Sequence, residues 1–210
     1  MNNTWNEESY LYSDIHDLGI RVYLIPKTGT SSLRSLLEKK LESFSFLPDS
    51  KTAYFKICFV RNPYDRLVSA WRDKSGSDSR SVREFYQKLL GGYKDNFKKF
   101  VIDLKHKPEK FSYFQGGANG AGVYCDRHFM PQHNLFPVNN MDFIGRFESF
   151  QEDFNKVCDK LDKPRINLPV LNASTSDNAD FMSYYDEDTL KIASEIYAKD
   201  IERFGYKFEE

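Results

Sequence analysis

Short apolar, β-branched runs alternating with amphipathic helical stripes predict an α/β fold, with a central parallel sheet flanked by helices in three layers. Three observations carry that expectation. Residues 21–25 (RVYLI), 54–60 (YFKICFV) and 141–145 (MDFIG) are runs of strand length. Leu33, Leu36, Leu37 and Leu41 recur at helical spacing after the first run, as do Leu67, Val68 and Trp71 after the second and Phe147, Phe150, Phe154, Val157, Cys158 and Leu161 after the third. The first two runs each end at a proline, Pro26 and Pro63, which stops a ladder and can open a helix.

Taken in order, residues 1–19 read as a loosely structured lead-in to one domain covering 1–210. A strand over 20–25 leads through Lys27, Thr28, Gly29, Thr30, Ser31 and Ser32 into a helix over 31–42. Residues 46–51 are a loop, 54–60 a strand, and the chain from Pro63 a helix. After a polar break at 74–80, Val82, Phe85, Tyr86, Leu89 and Leu90 form one helical stripe, ended by Gly91-Gly92, and Phe97, Phe100, Val101 and Leu104 form another. Residues 116–122 (GGANGAG) read as a surface loop. A long polar loop covers 167–178, and a long closing helix runs to about Phe204, striped by Leu190, Ala193, Ile196, Tyr197 and Ile201.

At 210 residues the chain is long enough for a substantial core, and 40% hydrophobic content argues against disorder. A net charge of −1 gives no general attraction to nucleic acid or an anionic membrane, so any basic site must be local. Three scattered cysteines (Cys58, Cys125, Cys158) with no C-x-x-C pair do not suggest a metal site, and Cys58 in an apolar run and Cys158 on an apolar helix face read as free core thiols. The polar, acidic start is unlike a signal peptide, and no run of 18 apolar residues predicts a membrane span. A cytoplasmic location is therefore expected.

The first strand–turn–helix is P-loop-like. A helix N-terminus offers unpaired N–H groups and partial positive charge, Gly29 permits close backbone approach, the Thr and Ser hydroxyls add donors, and Lys27 adds a full charge. The combination suits a phosphate or sulfate. It departs from the nucleoside-triphosphate loop, which needs Lys after a second Gly, and an ordinary capped helix is the plain alternative. In the second motif, FVRNPYDRLVSAW, Arg61 leaves a strand and Ser69 follows on the helix; a guanidinium and a hydroxyl converging there suit a second phosphate. An ordinary strand-end Arg and surface Ser are the alternative. Arg66 either reaches the same crevice or pairs with Asp65 or Asp73. In a parallel α/β sheet both loops would open at the carboxyl ends of strands.

The pair PKTGTSS and FVRNPYDRLVSAW resembles the sulfotransferases, specifically carbohydrate sulfotransferases of the Golgi type and their bacterial relatives. Further segments resemble the family in its order: DRHFMPQ at 126–132, FIGRFE at 143–148, LNAS at 171–174 and the closing helix over 184–208. The resemblance implies 3′-phosphoadenosine 5′-phosphosulfate (PAPS) as sulfuryl donor and no metal. Lys27, Thr28, Gly29, Thr30 and Ser31 would hold its 5′-phosphosulfate, and Arg61 with Ser69 its 3′-phosphate. It also implies an acceptor hydroxyl, usually on a carbohydrate. Golgi enzymes carry a membrane anchor and usually disulfides; the lack of both fits a bacterial or otherwise cytosolic member. Ala173 stands where many relatives have Lys.

Sulfuryl transfer needs a group to stabilise the leaving oxygen, for which Lys27 is the candidate, and a base for the acceptor hydroxyl. Of four histidines, His16 lies in the acidic lead-in and His106 among lysines. His128, in the family-like segment, is the favoured base or acceptor-binding residue, with a structural histidine as the alternative; His133, Glu148 and Asp126 remain further options. Arg146 either binds a ligand or pairs with Glu148. Two other functions stay open on these residues: a non-catalytic nucleotide-binding or scaffold protein, and a small-molecule kinase.

Overall fold

The computed structural model describes residues 10–38, 54–75, 86, 89–115, 122–169 and 181–209. In chain order its elements are β1 (Tyr12–Ile15), β2 (Ile20–Tyr23), α1 (Thr30–Glu38), β3 (Phe55–Val60), α2 (Pro63–Ser75), α3 (Phe97–His106), β4 (Ser112–Gln115), β5 (Gly122–Cys125), β6 (Phe143–Arg146), α4 (Phe150–Lys160), α5 (Glu187–Ile196) and α6 (Ala198–Phe204). Contacts divide the chain into two compact units, residues 1–61 with 132–175 and residues 62–131 with 176–210.

The first unit holds a four-stranded sheet of order β1-β2-β3-β6. β2 pairs parallel with β3, and β3 parallel with β6. Ile20, Val22, Ile57 and Phe59 pack with Leu33 of α1 and with Phe154, Val157 and Cys158 of α4 in one buried cluster. All four residues of β2 are buried, as expected for a parallel strand covered on both faces. The α/β class is thus present, with a mostly parallel sheet flanked by helices.

The lead-in departs from the expectation. Within residues 1–19, Tyr12–Ile15 forms a strand, and it pairs antiparallel with β2, so the sheet is not wholly parallel. Asp14 and Arg21 stand opposite each other in the register. Arg21 donates from Nε and Nη2 to the two Asp14 carboxylate oxygens, each at 2.7 Å. Its guanidinium also lies 4.3 Å from the centroid of the Tyr12 ring. A bidentate pair stacked on an aromatic face is a strong cross-strand contact, and it orders a segment too short for alternation to reveal.

The second unit is mainly helical. Tyr64, Leu67, Val68 and Trp71 of α2, Phe97, Phe100, Val101 and Leu104 of α3, and Ala193 and Tyr197 form its core. The β4–β5 hairpin belongs here too. Pro63 opens α2, and the Asn62 side-chain oxygen accepts the Tyr64 N–H at 3.0 Å. Asp186 and Thr189 form a reciprocal capping box on α5. The closing helix is broken rather than continuous. Tyr197 leaves helical geometry (φ −105°, ψ 17°), while its buried hydroxyl donates to the Phe129 carbonyl at 2.8 Å.

Other expected elements shift by a few residues or fall elsewhere. The third strand is 143–146 rather than 141–145, and the helix after it starts at Phe150, behind a 3₁₀ turn at Phe147–Ser149. From the stripe at 82–90, Tyr86, Leu89 and Leu90 are helical; its other members lie outside the described residues. So do the loop at 46–51, most of the Gly-rich run at 116–122, and the LNAS segment.

The Asp14→Ala substitution removes both acceptors of Arg21. It is expected to destabilise the protein by about 1.5–3 kcal/mol, the usual worth of hydrogen bonds to a charged group. Urea unfolding checks this, and a midpoint unchanged from the parent would contradict the stabilising role of the pair.

Candidate functional site

In the first unit the β2–α1 connection has an unusual backbone. Lys27 and Gly29 both have positive φ, at 71° and 79°. For Lys this left-handed geometry costs on the order of 1–2 kcal/mol, so its surroundings must hold it. The buried Thr28 hydroxyl donates to the Ile25 carbonyl at 2.9 Å, and the Thr30 hydroxyl donates to the same carbonyl. These two hydroxyls therefore pin the turn. Leu33 N–H bonds the Gly29 carbonyl at 3.1 Å, which starts α1. Ser31 is exposed in the first helical turn, where N–H groups have no intrahelical acceptor.

Two aromatic rings support this loop. A Cβ on residue 29 would lie 2.7 Å from Phe150 Cζ, so the ring tip occupies the space a side chain would need. Phe150 meets Phe59 edge-to-face, centroids 4.6 Å apart. Phe59 in turn presses on Gly145, where an added Cβ would lie 2.5 Å from its Cε1. Glycines on β6 and in the loop thus set how closely the loop approaches the sheet.

Arg61, at the exit of β3, is held in three ways. Its Nη1 donates to the Lys27 carbonyl at 3.1 Å, which joins the two sequence motifs. Its guanidinium carbon lies 4.5 Å from the Phe147 ring centroid. Its backbone is clamped by Gln132, which is fully buried: Arg61 N–H donates to Oε1 at 2.9 Å, and Nε2 donates to the Arg61 carbonyl at 2.8 Å. Gln132 extends the sheet's hydrogen bonding by one residue with a side chain. Nearby in this unit, the Arg146 N–H is accepted by Asp153 at 2.7 Å, and Asp153 also takes the Ser149 hydroxyl and the Lys156 ammonium. Burial pushes the Asp153 carboxyl up, but these donors outweigh it and keep it below the usual carboxylate range.

In the second unit Ser69 lies half-buried on α2. Arg66, fully buried, donates to the carbonyls of Met130 at 2.8 Å and Arg127 at 2.9 Å, so it ties α2 to the 126–131 turn. That turn carries His128. The His128 Nδ1 is 2.7 Å from Asp126 Oδ1, and the same oxygen accepts the His128 N–H at 2.8 Å. The Tyr86 hydroxyl donates to Asp126 Oδ2 at 2.7 Å. Burial holds the His128 pKa below the usual imidazole value, opposed by Asp126 and reinforced by the charges of Lys74 and Arg66. A neutral imidazole with Nδ1 engaged leaves Nε2 as its proton acceptor.

Of the expected residues, the structure joins Lys27, Thr28, Gly29, Thr30 and Ser31 in one loop and ties Arg61 to it. It gives Asp126 a partner in His128. The residues that sequence reasoning missed are supports: Phe150, Phe59, Gln132, Phe147 and Asp153. Gln132, Phe59 and Phe147 lie inside the family-like segments at 126–132, 59–71 and 143–148, which is the signal that could have found them. His16 has a separate partner, with its Nδ1 hydrogen-bonded to the Tyr54 hydroxyl. Among the described residues, no group of three or more His, Cys, Asp or Glu side chains is arranged to hold a metal ion.

The chain belongs to the sulfotransferase family, whose profile matches residues 9–207. It is similar to human carbohydrate sulfotransferase 9, at 29% identity over 147 residues, covering 60% of this chain and 30% of that protein. It is also similar to human carbohydrate sulfotransferase 8, at 27% identity over 70% of this chain and 34% of the relative. Carbohydrate sulfotransferase 14 of Danio rerio matches at 27% identity over 53% of this chain and 31% of the relative. The matches thus span about a third of the length of these relatives. No solved structure matches. These relatives are of the carbohydrate sulfotransferase kind that the resemblance named as Golgi-type, so they contradict the cytoplasmic location expected from the sequence, which is withdrawn. Among the described residues no helix is long and apolar enough to cross a membrane.

Gly29→Ala would force a Cβ into the Phe150 ring at a backbone angle that disfavours it. The expected cost is about 1–3 kcal/mol, as for other overpacked sites. Thermal unfolding checks this; a variant as stable as the parent would contradict the tight packing under the loop.

Proposed function

We propose that this chain is a PAPS-dependent sulfotransferase that transfers the sulfuryl group to a hydroxyl of a carbohydrate or glycan-like acceptor by in-line displacement. The observation that carries the reading is the loop at 26–32, with Lys27 and Gly29 at positive φ and the Arg61 guanidinium hydrogen-bonded to the Lys27 carbonyl. Family membership and the carbohydrate sulfotransferase relatives support the reaction and the acceptor class. One family profile runs through both compact units, which supports treating 1–210 as a single sulfotransferase domain.

The ligand in this reading carries anionic groups at both ends. The loop works as a P-loop-like cradle: backbone N–H groups at the start of α1 and the Lys27 ammonium take the 5′-phosphosulfate. Thr28 and Thr30 act chiefly by holding the turn through Ile25. The family resemblance assigns the 3′-phosphate to Arg61 and Ser69; within the first unit, the Gln132 clamp fixes where the Arg61 guanidinium starts from. PAPS, when bound, supplies the sulfuryl group; the acceptor oxygen bonds to sulfur as the bond to the 5′-phosphate oxygen breaks, and adenosine 3′,5′-bisphosphate leaves. Lys27 neutralises the charge that builds on that leaving oxygen. His128, neutral at working pH, takes the proton of the acceptor hydroxyl on Nε2.

The Lys27→Ala variant tests this. Transfer of labelled sulfuryl from PAPS to a panel of oligosaccharides should fall by on the order of 10²–10³, the cost of removing a comparable electrostatic donor. Its melting temperature should stay near that of the parent. Near-normal transfer by the folded variant would overturn the role of Lys27.

A further inference from the structure

The turn at 126–130 holds more hydrogen bonding than a turn requires. Asp126 is almost fully buried, and both of its carboxylate oxygens are occupied. Oδ1 faces the backbone N–H and the Nδ1 of His128; Oδ2 accepts the Tyr86 hydroxyl. The Asp126 carbonyl accepts the Phe129 and Met130 N–H groups, at 3.0 and 3.2 Å, so the main chain already closes the turn. Among the carboxylates that sequence left open as a base, Asp126 is thus poorly placed to receive a proton from an acceptor. It is well placed to control the histidine beside it.

We propose that Asp126 is the positioning residue of the transfer reaction: it fixes His128 as the Nδ1–H tautomer and stabilises the imidazolium formed when Nε2 takes the acceptor proton. This rests on the reading of His128 as the base. In the transfer step the hydroxyl proton moves to Nε2, the hydroxyl oxygen bonds to sulfur, and the sulfur–oxygen bond to the 5′-phosphate breaks with its electron pair going to the bisphosphate. The Nδ1–H stays on the imidazole, hydrogen-bonded to a carboxylate that remains ionised. Tyr86 holds the far oxygen of that carboxylate and meets the imidazole edge-to-face, centroids 6.0 Å apart. An anion on the Nδ1 side orients the ring and raises the basicity of Nε2.

The groups facing His128 make the sign of the effect plain. Arg66 and Lys74, both on α2, place positive charge near the ring, and burial also disfavours its protonation. Lys74 itself lies 4.7 Å from the Tyr86 ring centroid and pairs with Asp73. Asp126 provides the opposing negative charge beside the ring, where Nδ1 also has the neutral Tyr86 hydroxyl as a polar neighbour at 3.3 Å. Burial raises the Asp126 carboxyl, but the His128 contacts and the Tyr86 hydroxyl together hold it below its ordinary range, so it is an anion at neutral pH.

Asp126→Asn separates this role from a structural one, because Asn keeps the oxygen that accepts the His128 N–H. The variant should melt near the parent and bind adenosine 3′,5′-bisphosphate as tightly. Its kcat should fall by about 10²-fold, within the 10²–10⁴ that general-base catalysis contributes. The acidic limb of its kcat–pH profile should move to lower pH, because an anion that favoured the protonated imidazole is gone. An unmoved limb with unchanged kcat would overturn the proposal. A measurement on the parent protein covers the case in which the variant misfolds. The ¹⁵N spectrum of histidine-labelled protein, with the His128 signals identified by their loss in His128→Gln, should show a protonated Nδ1 and an unprotonated Nε2 above the pKa. The reverse tautomer would overturn the proposal. Full turnover by His128→Gln would defeat the base reading itself, whereas loss of turnover there with no pH shift in Asp126→Asn would defeat only the role of Asp126.

Discussion

The candidate anion loop depends on two rings packed against two glycines. Phe59 occupies the space beside Gly145, Phe150 stands edge-on to Phe59, and the tip of Phe150 fills the place of a side chain at Gly29. Aromatic cores are stiff because any displaced ring loses many close contacts at once. The loop therefore rests on a fixed floor. Two threonine hydroxyls pull it down onto the Ile25 carbonyl, and a lysine is held at a backbone angle it would not choose alone. An anion site made of backbone N–H groups needs such fixed geometry, because its donors must already point inward when the ligand arrives.

The parallel register supplies the second constraint. Pairing Tyr23 with Cys58 and Val60 with Arg146 makes β2, β3 and β6 end at one edge of the sheet. The loop after β2 and Arg61 after β3 then become neighbours without any special device, as the Arg61–Lys27 hydrogen bond shows. Gln132 and Asp153 complete that edge by taking the main-chain groups of Arg61 and Arg146 where the ladder runs out. Each would otherwise leave polar backbone with no ladder partner at the end of a buried strand, a costly arrangement.

Much of this was legible from residue type. The strand runs, Pro26 and Pro63 located β2, β3 and the two loops, because β-branched runs and prolines act locally. Gly29 was read as allowing close backbone approach, which its positive φ accompanies. Lys27 at positive φ was not legible, since no local rule puts lysine there; the tertiary packing imposes it. The strand at Tyr12–Ile15 was missed because a four-residue edge strand is specified by its cross-strand partner, here Arg21. The break at Tyr197 was missed because a hydroxyl bonded to Phe129, 68 residues away, lies outside any helical window. The supports at Phe150, Phe59 and Gln132 look like ordinary core and polar residues by type; Phe59 and Gln132 fall inside family-like segments, but their roles come from their contacts.

The central claim is that one ligand with two anionic ends binds at the strand-end loops. Its most direct test compares the melting temperature of the protein with adenosine 3′,5′-bisphosphate and with 5′-AMP at equal concentration, in the parent and in Arg61→Ala. A ligand that binds only the native state raises stability by mass action. The account predicts a clear rise with the bisphosphate, a much smaller one with 5′-AMP, and loss of the difference in Arg61→Ala. Equal shifts with the two nucleotides, or no shift with either, would contradict it.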